Sequence, residues 1–77
     1  MIKVLLFADL QERIGQNELD IPVKETNVLK LKRQLEIDYP LLKLNEVMTA
    51  INEEFANDKD EIIAGDTVAF IPPVSGG

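Results

Sequence analysis

The chain opens on Ile2-Lys3-Val4-Leu5-Leu6-Phe7, a β-compatible run. Alternation along a strand puts Ile2, Val4 and Leu6 on one face and Lys3, Leu5 and Phe7 on the other. Lys3 marks the second face as the less buried one. Leu5 and Phe7 then sit where a half-exposed sheet ordinarily carries polar residues. Asp9 to Ile14 predicts a brief helical turn, with Asp9 as its cap and Gly15 closing it. In Glu18-Leu19-Asp20-Ile21-Pro22-Val23 the apolar residues alternate with polar neighbours, which predicts a second strand. Pro22 has no N–H to give a ladder, so that strand lies at a sheet edge or ends there. A short link between the two strands predicts an antiparallel hairpin.

A change of period follows. Val28, Leu31, Leu35 and Tyr39 recur at helical spacing behind Asn27, a suitable N-cap, and Pro40 ends the helix at Tyr39. Lys30, Lys32 and Arg33 are expected on its wet face. Val47 to Ile51 predicts a third strand, more weakly patterned. Asn52 to Glu61 reads as a polar, acidic stretch with Phe55 as its anchor, and Ile62-Ile63 as a brief pairing before Gly65-Asp66 turns the chain. Thr67 to Ile71 predicts the last strand, Val68 and Phe70 facing against Thr67, Ala69 and Ile71. A hairpin, one crossing helix and further strands make an α+β domain, a mixed sheet of four to five strands on one main helix. With strands near both ends of the chain, the first and last can pair in parallel at the centre. That is the ubiquitin-like β-grasp arrangement, expected over residues 1–71.

Composition narrows the chemistry. The 77 residues make one small domain, and the absence of cysteine and histidine removes disulfides, thiolate sites and the commonest general base. Eight basic and fourteen acidic residues give a formal net charge of −6, which argues against a nucleic-acid partner. The longest early apolar run, Val4 to Ala8, suggests neither a signal peptide nor a membrane span, so a cytoplasmic location is expected. No side-chain constellation looks catalytic. The acidic residues from Glu53 to Asp66 lack the spacing of a calcium loop, and no metal site is expected. Glu53-Glu54 would face opposite ways on a strand. No glycine-rich phosphate cradle is present, so no cofactor is expected to bind this chain. Gly15 and Gly65 read as turn residues.

The end of the sequence carries the strongest functional signal. Pro72 and Pro73 hold the chain extended, Val74 and Ser75 follow, and Gly76-Gly77 can thread a passage too narrow for side chains. An arm of residues 72–77 reaches about 20 Å at full extension. A frayed end has no need of paired prolines or of an apolar Val74. The reactive group such an arm would present is the α-carboxylate of Gly77. A carboxylate accepts a nucleophile only after activation, for which ATP forms an acyl-adenylate. This chain has no nucleotide cradle, so a separate enzyme must do it.

The ending Val68-Ala69-Phe70-Ile71-Pro72-Pro73-Val74-Ser75-Gly76-Gly77 resembles that of the small, sulfur-carrier subunits of molybdopterin synthase. Ile2-Lys3-Val4-Leu5-Leu6-Phe7-Ala8, Ala50-Ile51-Asn52 and Gly65-Asp66-Thr67-Val68 resemble them as well. The resemblance implies a protein that is non-catalytic alone. An E1-like enzyme, consuming ATP, would adenylate Gly77, and a sulfur donor would convert it to a thiocarboxylate. The tail would then enter the large synthase subunit and deliver sulfur to cyclic pyranopterin monophosphate, within a heterotetramer. Leu5, Phe7, Ile71 and Val74 would form the docking patch. Many family members carry an arginine shortly after the first strand that contacts the partner; the nearest positions here are Gln11 and Arg13. A thiamine-pathway sulfur carrier and a ubiquitin-like protein modifier remain alternatives.

Overall fold

The computed structural model describes residues 1–73, so the expectations placed on Val74, Ser75, Gly76 and Gly77 lie outside the described residues. Along the chain run β1 (Ile2–Leu6), α1 (Asp9–Ile14), β2 (Glu18–Ile21), β3 (Glu25–Asn27) and α2 (Val28–Asp38). β4 (Met48–Ile51), β5 (Glu54–Ala56), β6 (Glu61–Ile63) and β7 (Thr67–Ile71) follow. Five strands form one sheet in the order β2-β1-β7-β4-β5, and β3 pairs with β6 in a separate two-stranded ribbon. β1 and β7 run parallel, Val4 opposite Val68 and Leu6 opposite Phe70, whereas the other pairings are antiparallel. This is the expected α+β architecture, a β-grasp sheet on one main helix.

Burial follows the alternation. Ile2, Val4 and Leu6 of β1 meet Val68 and Phe70 of β7 in a core that also takes Val28, Leu31 and Leu35 of α2. Each such side chain, fully buried, contributes about 1.5–3 kcal/mol relative to an exposed one. The loop after α2 adds Leu42 and Leu44, and it is held by the Leu44 N–H donating to Glu36 Oε2 at 2.9 Å. Asn27 caps α2 as expected, its Oδ1 accepting from the Lys30 N–H at 2.8 Å. The Val28 and Leu29 N–H groups, which no helical carbonyl can satisfy, donate to the carbonyls of Asp60 and Asp58. Tyr39 closes the helix, its N–H donating to the Leu35 carbonyl at 2.7 Å.

Four local expectations are corrected. Asp9 does not cap α1: the preceding Ala8 turns the chain at φ 53°, and Asp9, already helical, pairs with Arg13 one turn on at 3.2 Å. Lys32 is not on a wet face, because the acidic loop folds over α2 and Asp58 Oδ1 takes its ammonium at 3.1 Å. Phe55 anchors nothing in the core. It lies opposite Ala50 on the face of the sheet away from the helix and is 75% exposed. Glu53 is not in a strand, since it and Asn52 form the two-residue turn between β4 and β5.

Gly15 and Gly65 do turn the chain, at φ 75° and 95°. Beside Gly65, Asp66 joins three segments: its Oδ2 accepts from the Ile63 N–H at 2.9 Å and its Oδ1 from Asn52 Nδ2 at 3.0 Å. The Ile63 N–H first, and Asn52 second, hold the Asp66 carboxyl below its ordinary value of 3.8. A depressed value means that the stabilisation is present above the unfolded-state pKa and is lost as pH falls through the folded one. Urea midpoints measured down the acid range should therefore converge for the native chain and Asp66→Asn, and separate again above about pH 4.

Candidate functional site

The open face of the sheet is apolar where the pleat would allow charge. Register places Leu5, Ala69, Ala50 and Phe55 in one row across β1, β7, β4 and β5. Ile71 and Met48 pair in the neighbouring row, and Phe7 continues β1 past its last paired residue. Ala50 and Ala69 are small, so the middle of the row sinks between larger side chains. The result is a depression of about 580 Å³ lined by Leu5, Phe7, Phe55 and Ile71, with Asn52, Glu53 and Thr67 also on its wall. Phe7, Met48 and Phe55 are 44%, 47% and 75% exposed, a concentration of apolar surface that a small monomer rarely leaves to water. Beyond the row, Lys3 faces Glu18 in an ion pair of 3.0 Å at the β2 edge.

Three of the four residues expected in the patch, Leu5, Phe7 and Ile71, thus line one depression, and Val74 lies outside the described residues. Met48 and Phe55 were missed as members. The one signal for Phe55 was Asn52, a residue favoured at the first position of a two-residue hairpin, which would have set its face.

β7 leads from the centre of the sheet to the tail. After Ile71, Pro72 and Pro73 line a second depression, of about 810 Å³, together with Ala8, Arg13, Lys43 and Val47. Arg13 belongs to this wall, and its guanidinium is engaged within the chain by Asp9 and by the Leu41 carbonyl at 3.4 Å. Gln11 is exposed on α1. Among the described residues no three His, Cys, Asp or Glu side chains are grouped to hold a metal ion, and no helix is long and apolar enough to cross a membrane.

A family model described as the ThiS family matches residues 4–77. The chain belongs to the ThiS family. A molybdopterin synthase sulfur carrier subunit from Dictyostelium discoideum is 40% identical over 81 residues, which span 97% of this chain and 94% of the relative. Among solved structures, SAMP1 of Haloferax volcanii, a small archaeal modifier protein, superposes with a TM-score of 0.83 at 28% identity, covering 99% of this chain and 98% of that one. A chain from the complex of subunits 1 and 2 of molybdopterin-converting factor from Helicobacter pylori gives a TM-score of 0.68 at 25% identity, covering 99% of this chain and 97% of that one. The span matched to the ThiS family takes in the whole apolar face and the tail beyond it.

Proposed function

We propose that this chain is the sulfur carrier of a molybdopterin synthase, with Gly77 as the covalent carrier. The observation that carries the reading is the course of β7. One strand gives Ala69 and Ile71 to the apolar face and then passes directly into Pro72 and Pro73 at the head of the Gly-Gly tail. A partner seated on that face would lie where the tail departs. The sulfur-carrier relatives supply the chemistry that such a tail would perform.

In the proposed cycle a Gly77 carboxylate oxygen attacks the α-phosphate of ATP in an E1-like adenylating enzyme, and pyrophosphate leaves. A sulfide-level sulfur donor then attacks the acyl carbon, AMP leaves, and a thiocarboxylate remains. The apolar face docks on the large synthase subunit while the tail enters its active site. There the thiocarboxylate sulfur bonds to an electrophilic carbon of cyclic pyranopterin monophosphate, and water cleaves the acyl–sulfur bond, leaving the sulfur on the pterin and returning the terminus to a carboxylate for recharging. This chain contributes the terminus, its extended approach and the docking face. The two enzymes contribute the catalysis.

Charging is tested by intact-mass measurement after incubation with ATP, adenylating enzyme and a sulfide source. Replacement of oxygen by sulfur adds about 16 Da to the native chain. The variant lacking Gly77 should gain nothing while keeping an unchanged circular dichroism spectrum. Sulfur delivery to the large synthase subunit, and not to a thiamine-pathway acceptor, separates the two carrier roles. The likeness to SAMP1 favours a second reading, in which the activated terminus is joined to protein lysines. That reading predicts isopeptide-linked adducts ending at Gly77 in cell extracts, and their absence would reject it.

A further inference from the structure

The β4–β5 turn holds a residue whose backbone geometry works against it. Ile51 pairs with Glu54, leaving Asn52 and Glu53 as a two-residue loop at φ 50° and 71°. A two-residue hairpin with positive φ at both central positions favours Asn-Gly, because glycine alone accepts the second position without steric cost. The first position is filled by the preferred residue, and the second carries a full side chain. Asn52 imposes the conformation. Its N–H donates to the Thr67 carbonyl at 2.8 Å, its Oδ1 accepts from the Thr67 N–H at 3.0 Å, and its Nδ2 donates to Asp66.

The Glu53 side chain itself does nothing to offset the strain: its carboxylate makes no hydrogen bond or ion pair among the described residues. Glu53 is also the single charged residue lining the apolar depression, beside Leu5, Phe7 and Phe55. Its neighbour Glu54 is opposite Ile51 and so belongs to the other face of the sheet. Strained positions persist where the side chain is needed for something other than folding. A lone carboxylate at the border of an apolar docking face, on a chain of net charge −6, suits a cation on the partner.

We infer that Glu53 selects the partner, its carboxylate meeting a lysine or arginine of the large molybdopterin synthase subunit at the edge of the docking face. The inference rests on the docking reading given under the proposed function. Such a contact steers encounter and rejects acidic surfaces, so its loss weakens association in a salt-dependent way.

The test measures binding of the native chain, Glu53→Gln, Glu53→Gly and Glu25→Gln to the large subunit at about 50 mM and about 500 mM salt. Glu25 lies on β3, in the separate ribbon, and serves as a control for net charge. Glu53→Gln should weaken binding about 5- to 10-fold at the lower salt, mainly through the association rate, with the gap closing at the higher salt. Glu53→Gly should bind as weakly as Glu53→Gln, yet melt about 3 °C higher than the native chain. Glu25→Gln should bind within about twofold of native. Equal binding by Glu53→Gln and the native chain, an equal loss in Glu25→Gln, or a lower melting temperature for Glu53→Gly would each overturn the inference. A Leu5→Asp chain measured alongside separates the two readings. If it loses binding while Glu53→Gln does not, the docking face stands and only the role of Glu53 fails.

Discussion

Phe70→Ala should lower the urea midpoint to about half the native value, whereas Phe55→Ala should hardly change it. Phe70, on β7, is 0% exposed and is the largest fully buried side chain among the described residues, while Phe55 is 75% exposed. Removing a buried phenylalanine costs about 3–5 kcal/mol. The entire stability expected of 77 residues is about 4–12 kcal/mol, so the loss takes a large share of it. An exposed site away from caps and ion pairs shifts stability by about 0.5 kcal/mol or less. Urea denaturation followed by circular dichroism compares the two variants directly. A small loss at Phe70 would mean that the core can close around the space left behind.

Leu5→Asp or Ile71→Asp should reduce affinity for the large synthase subunit by about 100-fold, equivalent to ~2.7 kcal/mol, without unfolding the domain. Both side chains line the depression on the open face and are only partly buried in the free chain. A carboxylate there would be desolvated on docking with no partner to neutralise it, and that cost falls on the complex. Isothermal titration calorimetry with the large subunit measures the loss, and the melting temperature of each free variant shows that folding survives. Native-like affinity in both variants would place the docking surface elsewhere on the molecule.

The elements readable in the sequence were those whose apolar residues keep a period. Alternation in β1 and β7 assigned Ile2, Val4, Val68 and Phe70 to the core side, and helical spacing assigned Val28, Leu31 and Leu35. The same reasoning brought Leu5, Phe7 and Ile71 to one open face. β3 was not legible because Glu25-Thr26-Asn27 offers no apolar alternation; the segment is a strand through its ladder to Glu61–Ile63. β5 is three residues long, and the turn before it has glutamate where glycine would have announced a hairpin. Missing that turn put Phe55 on the wrong side. Lys32 was misplaced for a related reason: periodicity along α2 carries no information about a loop arriving from the region of Asp58.

The parallel partnership of β1 with β7 also governs when the domain can form. β7 joins the β2-β1 hairpin to the β4-β5 hairpin, so neither half of the sheet has its neighbour until Thr67–Ile71 is available. Pairings so distant in sequence close slowly and only after most of the chain exists. The sheet therefore closes in one late step, and a chain cut before Thr67 would be left with two unconnected hairpins.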